Sequence, residues 1–405
     1  MNCTPSPAEA ATVFPTVRSD PYAPPRDYLS DGRPGIRRVS LRYGGTAWLV
    51  TDHPTARLVL ADTRFSSDST LPGYPSLPLA VKHRIPGHLL SMDPPEHTRL
   101  RRLVAAQFSA ARVRESRPRF RASVRTLAEA LAQSGTPDLV ADFAVPLPSA
   151  GLAPMLGVPM EDRGFFETCA TDLQRHDATA VTRRVAAGRM EHYLVDQLAA
   201  RGRNPGNDLL THLARGVDDG FSTEELAGLA NVIIMASLET TTGLFALTML
   251  SLLRDRRQRE RAVADPATWA APAVREALRY WTIVQHGVAR VATRDTELAG
   301  CRIRREDAVI VHLPTANRDA SVYTDPDTFD MTRTQGGHLA FGHGVHRCLG
   351  SSLAENLVEI AVVEILLGLP GLCLSAPPDA HQFLDDMLVY GLRSLPITWE
   401  GMSEA

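Results

Sequence analysis

The sequence predicts a mainly α fold with a small β portion, and three observations predict it. Helical periodicity fills most of the chain from His53 to about Ala200. One apolar stretch, from Leu226 to Leu250, follows a helix-start signal and is about 37 Å long if helical. Apolar alternation is confined to two short regions, from Arg37 to Asp52 and from Gly287 to Val311.

In chain order, residues 1 to about 35 are Pro-rich and irregular. Val39, Leu41, Ala47 and Leu49 alternate around Gly44-Gly45, which predicts a β-hairpin. Pro-rich loops near 71–95 break the helical region. Ser222 with Glu225 makes a capping box that opens the long apolar helix. A further helix is predicted over about Pro272 to Tyr280, and Gly300 marks a turn between two short strands. An irregular segment over about 315–340 precedes a last helix, from about Leu349 to Leu367. Repeats, low-complexity tracts and a clean linker are not visible. The expectation is one domain spanning 1–405, with 1–20 poorly ordered.

Composition bounds the class. A chain of 405 residues can bury a deep core, and 44% hydrophobic with 22% charged residues is ordinary for a globular protein. A net charge of −3 gives no global reason to expect nucleic acid. The five cysteines are scattered and odd in number, without a disulfide framework, which points to a reducing, cytoplasmic setting. Lys82 is the one lysine among 43 lysines and arginines. That bias reflects GC-rich bacterial codon usage and carries no chemistry. No basic segment followed by an apolar run marks a signal peptide. The Leu226–Leu250 stretch could span a bilayer by length. Asn231, Ser237, Glu239 and Thr240 to Thr242 interrupt it, so a buried helix of a soluble protein is expected.

The strongest chemical signal is Phe341-Gly342-His343-Gly344-Val345-His346-Arg347-Cys348-Leu349-Gly350. Glycines four and six residues before a cysteine permit a tight loop with unusual φ values. A cysteine just before a helix meets backbone N–H groups and the positive end of the dipole, which favour a thiolate. Gly350 lets a helical turn lie close to a flat partner.

This segment matches the haem-ligand signature of the cytochrome P450 family, FGxGxHxCxG, at all six fixed positions. The chain is similar to soluble bacterial, actinobacterial-type members from about Asp20 to Trp399. The resemblance implies a cytochrome P450 fold with haem b between the long I helix and the L helix. It makes Cys348 the axial iron ligand, with Phe341, Gly342 and Gly350 in the haem-binding loop. Met92-Asp93-Pro94-Pro95-Glu96-His97-Thr98-Arg99-Leu100-Arg101-Arg102 resembles the family's C-helix entry. His97 and Arg101, four apart, share a helix face. By resemblance Arg290 and His346 complete a shell for the haem propionates, where arginine binds carboxylate strongly.

Glu276-Ala277-Leu278-Arg279 resembles the family's ExxR, a buried pair at i,i+3 that locks the core. Its third partner usually comes from the irregular segment. Thr328 departs from that pattern there, and Arg333 is the substitute named. Ala236-Ser237-Leu238-Glu239-Thr240-Thr241 resembles the oxygen-binding part of the I helix. Glu239 and Thr240 match as an acid–alcohol pair for proton delivery, and Ser237 replaces the usual glycine. Thr240 can bond back to the Ala236 carbonyl and loosen the helix. Ala316-Asn317-Arg318-Asp319 also recurs in bacterial members and is read as structural.

The resemblance implies a monooxygenase that inserts one oxygen atom from O2 into a small organic substrate, as in natural-product biosynthesis. Substrate contacts are expected near 72–90 and 165–195, around Val232 to Gly243, from Ile283 to Ala289, and from Met387 to Tyr390. Ile233, Leu238 and Phe245 are among them. Lys82, His83, Arg84 and Arg175 raise the option of an acidic or carrier-tethered substrate. No flavin or nicotinamide fingerprint is evident, so ferredoxin and ferredoxin reductase are the expected electron donors. Arg99, Arg102, Arg112, Arg114 and Arg347 are candidates for docking them. Two alternatives stay open: an altered outcome such as desaturation, coupling or rearrangement, and a non-catalytic haem-binding protein.

Overall fold

The computed structural model describes residues 12–28, 35–77, 84–174, 179–377, 380–385 and 387–400. In chain order, strands β1 (Val13–Phe14), β2 (Ile36–Leu41) and β3 (Thr46–Val50) lead to helix α1 (His53–Ala61), β4 (Phe65–Ser66) and α2 (Glu96–Ala105). Helices α3 (Ala110–Ala132), α4 (Pro146–Leu156), α5 (Arg163–Gln174), α6 (Ala180–Arg203) and α7 (Leu209–Arg215) follow. The long α8 (Thr223–Arg254), α9 (Arg256–Ala264) and α10 (Pro266–Trp281) come next. Then come β5 (Val288–Ala292), β6 (Thr296–Leu298), β7 (Cys301–Ile303), β8 (Ala308–Val311), α11 (Leu313–Ala316), α12 (Ser351–Gly368), β9 (Cys373–Leu374) and β10 (Ile397–Thr398). The chain divides into two units.

The first unit comprises Met1–Arg101, Arg279–Thr328 and Gln335–Cys348. Its sheet has the order β1-β2-β3-β8-β5-β4. The expected hairpin is present, with Ile36 opposite Val50 and Ser40 opposite Thr46, and Gly44 and Gly45 take φ of 99° and 87° in its turn. Alternate residues enter opposite faces of the sheet. Trp48, Val50, Val309 and Val311 pack with Val59 and Leu60 of α1. Ala47, Leu49, Ala308 and Ile310 pack with Phe14 and Tyr28. Each fully buried valine, leucine or isoleucine among them contributes about 1.5–3 kcal/mol. Gly300, with φ of 77°, turns β6 into β7 as expected.

Asn317, Arg318 and Asp319 hold this unit together. The Asn317 side chain accepts from Leu339 N–H at 2.7 Å and donates to Thr282 Oγ1 at 2.8 Å. Arg318 donates to the Tyr280 carbonyl and lies 3.6 Å over the Tyr280 ring. Asp319 accepts from His53 N–H at 2.9 Å.

The second unit comprises Arg102–Leu278, Phe329–Thr334 and Leu349–Ala405. Here α8 begins with the expected capping box, Ser222 and Glu225 bonding each other's backbone. From Gly243 to Leu253 every residue of α8 is buried. Two helical segments, Leu139–Leu156 and Thr223–Arg254, are long and apolar enough to cross a membrane by length and composition. Helix α12 packs on α3, where Glu364 accepts from Arg121 at 2.9 Å and Arg125 at 2.8 Å. At Gly151 an added Cβ would meet Leu357 at 2.7 Å, so α4 lies close on α12.

Some sequence expectations need correction. Helix α10 starts at Pro266, not near Pro272, because Asp265 caps it through Thr268 N–H at 3.1 Å and Pro266 suits a first turn. Pro272 lies inside the helix. Of the first twenty residues, 12–20 are described and include β1, which pairs in parallel with β2. Helix α12 begins at Ser351 with Gly350 as its cap. Cys301 is disulfide-bonded, although the cysteine spacing shows no disulfide framework.

Candidate functional site

The glycine loop of the first unit closes on Cys348. Gly342 and Gly344 adopt φ of 68° and 72°. At Gly344 a Cβ would meet the Leu60 carbonyl oxygen at 2.4 Å, so only glycine fits against the end of α1. Arg347 N–H donates to the Gly344 carbonyl at 3.1 Å, and Cys348 N–H donates to the Phe341 carbonyl at 2.8 Å. The loop is thereby folded back on itself, and Cys348 is exposed at its end. Helix α12 begins three residues later, and an added Cβ on Gly350 would meet nothing within 4 Å. That leaves room for a flat group beside the first helical turn.

The same unit gathers His97, Arg101, Arg290 and His346. Helix α2 carries the first two, and its start is fixed by the His97 N–H bond to the Asp93 carbonyl at 3.0 Å. Arg290 lies on β5 opposite Val309 and is 4% exposed. His97 is 1% exposed, and neither of its ring nitrogens has a hydrogen-bond partner. Its ring centroid lies 4.2 Å from that of His346. The Arg101 guanidinium donates to the Arg347 carbonyl at 2.6 Å, and that of Arg290 to the Ala289 carbonyl at 2.7 Å. Burial, then Arg290, His97 and Arg101, push His346 down to about 3. Burial and then Arg101 lower His97 as well. Burial thus disfavours the charged form of both imidazoles, and a neutral imidazole still has one N–H to donate. Two arginines and a histidine buried with both nitrogens unmet suit a ligand that brings carboxylates. These residues fit a cofactor of that kind.

In the second unit, the middle of α8 differs from its ends. Between Asn231 and Thr240 only Ile234 is buried, and Ala236 is exposed. The Thr240 hydroxyl donates to the Ala236 carbonyl at 2.5 Å, as its position in the helix predicts. Ser237 donates to the Ile234 carbonyl at 2.7 Å. Thr242 donates to the carbonyls of Leu238 and Ala144, each at 3.1 Å. The expected loosening is absent: α8 stays α-helical throughout, since each hydroxyl adds a bond to its own helix without displacing a backbone one. Glu239 is half-buried on this segment. Phe245, expected among the substrate contacts, instead packs in the core with Phe143 at 4.8 Å between ring centroids. Leu238 and Ile234 line a recess with Leu156 and Phe166.

Glu276 belongs to the second unit and Arg279 to the first. Glu276 accepts from Arg333 Nε at 3.3 Å and from Asp330 N–H at 2.9 Å, in a pair only 4% and 8% exposed. Arg333, the expected substitute for the third partner, is thus paired with Glu276. Arg279 donates to the carbonyls of Asn317, Pro326 and Thr328 at 3.0, 2.8 and 3.1 Å. Thr328 contributes a carbonyl where a side chain was expected.

Two neighbours of the histidine pair escaped the sequence reading. Ser67 Oγ lies 3.0 Å from His346 Nε2, and Tyr74 sits near Arg290 and Asp93, its phenol pushed up by burial. A lone serine or tyrosine in a loop carries no spacing signal. Of the proposed docking arginines, Arg99 and Arg347 of the first unit and Arg102 and Arg114 of the second are exposed. Arg112 donates to Asn207 at 2.9 Å and is engaged there. Arg84 pairs with Glu96, while Lys82, His83 and Arg175 lie outside the described residues.

Comparison with known proteins gives concordant results. Residues 270–369 match the family model described as Cytochrome P450. The chain is 39% identical over 401 residues to the pentalenic acid synthase of Streptomyces avermitilis, covering 96% of this chain and 98% of that protein. It is 39% identical over 386 residues to nocardicin C N-oxygenase of Nocardia uniformis subsp. tsuyamanensis, covering 93% and 94%. Among solved structures it is similar to cytochrome P450 MoxA from Nonomuraea recticatena, with TM-score 0.88, 35% identity, and coverage of 96% and 99%.

Proposed function

Because this chain belongs to the cytochrome P450 family and is a haem-dependent monooxygenase, we propose that Cys348 ligates the iron of haem b and that His97, Arg101, Arg290 and His346 hold its carboxylates. One observation carries this assignment: buried His97 and Arg290, with half-buried Arg101 and His346, share a unit with an exposed cysteine on a glycine loop, and neither His97 ring nitrogen has a partner. Phe341 and Gly342 of the same unit would line the haem-binding loop, and Gly350 at the start of α12 would leave space for the ring. When bound, thiolate-ligated haem activates dioxygen, the sulfur donating electron density that favours O–O cleavage.

The protein's own part is to hold the group, supply protons and admit substrate. Arg101 and Arg290 neutralise the carboxylates, and His97 donates an N–H to one of them. On α8, Glu239 would exchange protons with water, and the Thr240 hydroxyl, resting on the Ala236 carbonyl, would hold a proton for delivery. Ser237 and Ala236 shape the same turn. The Ser237 hydroxyl, bonded to Ile234, gives no support to an altered outcome such as desaturation.

The substrate we infer is a small natural product that accepts one oxygen atom. The relatives above are named for pentalenic acid and for N-oxygenation of nocardicin C, both products of secondary metabolism. Electrons come from a ferredoxin and its reductase, the protein works in the cytoplasm, and the whole chain acts as one P450 domain. The test is a ligand screen by haem difference spectroscopy, then turnover with a surrogate ferredoxin chain and product mass measurement. A gain of one oxygen atom is expected. Loss of two hydrogens, or no turnover with any binder, would overturn the reading.

A further inference from the structure

Ser67 follows β4 and is 1% exposed. Its hydroxyl lies 3.0 Å from His346 Nε2, and its N–H donates to Asp93 Oδ1 at 2.9 Å. The other Asp93 carboxylate oxygen accepts from the Ser66 hydroxyl. The Asp93 carbonyl accepts from His97 N–H at 3.0 Å. One aspartate therefore fixes both the backbone under Ser67 and the helix start that carries His97. Between these two fixed points the imidazoles of His346 and His97 meet at 4.2 Å, tilted by 48°.

An imidazole can turn about its side-chain bonds and exchange tautomers unless a neighbour holds one nitrogen. Ser67 is such a neighbour for His346, and the Met92 main chain is a second. His97, by contrast, has no bond to either nitrogen and is confined only by what packs against it. We propose that Ser67 is a positioning residue: through its bond to His346 it fixes the imidazole pair, so that His97 presents a donor to a cofactor carboxylate. This rests on the assignment of His97 and His346 to the haem carboxylates. Its effect passes through His346. The Asp93 contacts make the arrangement stiff, because moving Ser67 means breaking its backbone bond as well.

The experiment uses holoprotein and follows haem transfer to apomyoglobin, together with the midpoint potential of the bound haem. Ser67→Ala removes one oxygen atom and adds nothing to the core. It is expected to speed haem loss by about tenfold, the low end of what such supporting partners contribute. The midpoint potential, which a change in packing alone leaves in place, should shift with it. In a His346→Phe background, Ser67→Ala should add nothing, as coupling through one residue requires. If Ser67→Ala leaves rate and potential unchanged while His346→Phe speeds haem loss, the proposal is overturned and the assignment of His346 stands. If neither substitution speeds haem loss, the assignment fails and takes the proposal with it. Equal acceleration by Ser67→Ala in both backgrounds would overturn the proposal in favour of simple packing.

Discussion

The imidazole–arginine cluster of the first unit and the centre of α8 in the second are both polar, yet their polar atoms are used in opposite ways. In the first, the His97 ring is buried with both nitrogens unmet, and its neighbours are fixed by Asp93, Ser67 and the β5–β8 pairing. Along α8 every hydroxyl from Ser237 to Thr242 for which a bond is described turns back to a main-chain carbonyl. The difference separates holding from delivering. A residue that grips a resident group can be built rigid and waiting. A residue that moves protons must have a resting place for its own hydrogen, and a helix carbonyl three or four residues back provides one.

The largest expected effect breaks the holding side outright. Cys348→Ser should abolish the thiolate-type absorbance of the reduced, carbon-monoxide-bound protein, whether or not haem remains. A mutant that keeps the red-shifted band would remove Cys348 from the site.

Next comes Glu276→Ala, which leaves Arg333 in a buried place without its carboxylate. Breaking a buried pair in this way costs about 3–5 kcal/mol, a large part of a typical stability of about 5–15 kcal/mol. Holoprotein yield and melting temperature should both fall sharply. A wild-type melt would show that the pair contributes little.

Buried His312 adds a pH dependence to the stability of the first unit. His312 caps α11 and is pushed down to about 3, first by burial and then by Arg18 and His286. The unfolded chain takes up that proton near pH 6.5 and the folded chain does not, so ν_U exceeds ν_N between about 6.5 and 3. Stability is complete above 6.5 and is lost as pH falls through this window. Melting temperature measured from pH 7 to 4 should drop less steeply in His312→Asn than in the natural protein. Parallel curves would count against the burial argument.

Thr240→Ala sharpens the delivering side. Substrate binding and reduction should stay near normal, while product per reductant falls about tenfold, below the contribution of a well-placed proton donor. Hydrogen peroxide should rise to match. Unchanged coupling would transfer the role to Ser237, and the double mutant would then decide.

The smallest effect is expected at Ser237→Gly. Its hydroxyl bonds only its own helix, so the change should cost at most about 1 kcal/mol of helix propensity. The variant should fold and turn over, with a melting temperature a few degrees lower. Loss of haem would reveal a role for Ser237 that its bond to Ile234 does not suggest.

What could be read from the sequence follows from how tightly chemistry fixes spacing. The Cys348 loop, the Ser222–Glu225 cap and the Gly44-Gly45 turn were legible because each needs particular residues at particular separations. Strands β1, β9 and β10 are two residues each, too short for alternation to show. The start of α10 was misplaced because Pro272 reads as a first-turn proline until Asp265 is seen capping. Phe245 was read as a pocket residue because α8 is apolar nearly all round, and periodicity cannot tell its cavity side from its core side. Arg333 could be named but not assigned, since the irregular segment offers no register from which to count. Ser67 was invisible for the same reason that makes it interesting: its importance lies in a partner 279 residues away.

Arg279 gives the irregular segment a property that its lack of regular structure hides. One guanidinium gathers main-chain oxygens from Asn317, Pro326 and Thr328, while its carbon sits 5.2 Å from the Tyr323 ring centre. For these stretches to open together, that one ion has to be released from all three carbonyls. Their backbone amides should therefore exchange with deuterium as one cooperative group, at a rate set by the arginine and not by the local turns. The coil from 317 to 328 behaves, in that sense, as an element of structure whose ladder is a side chain.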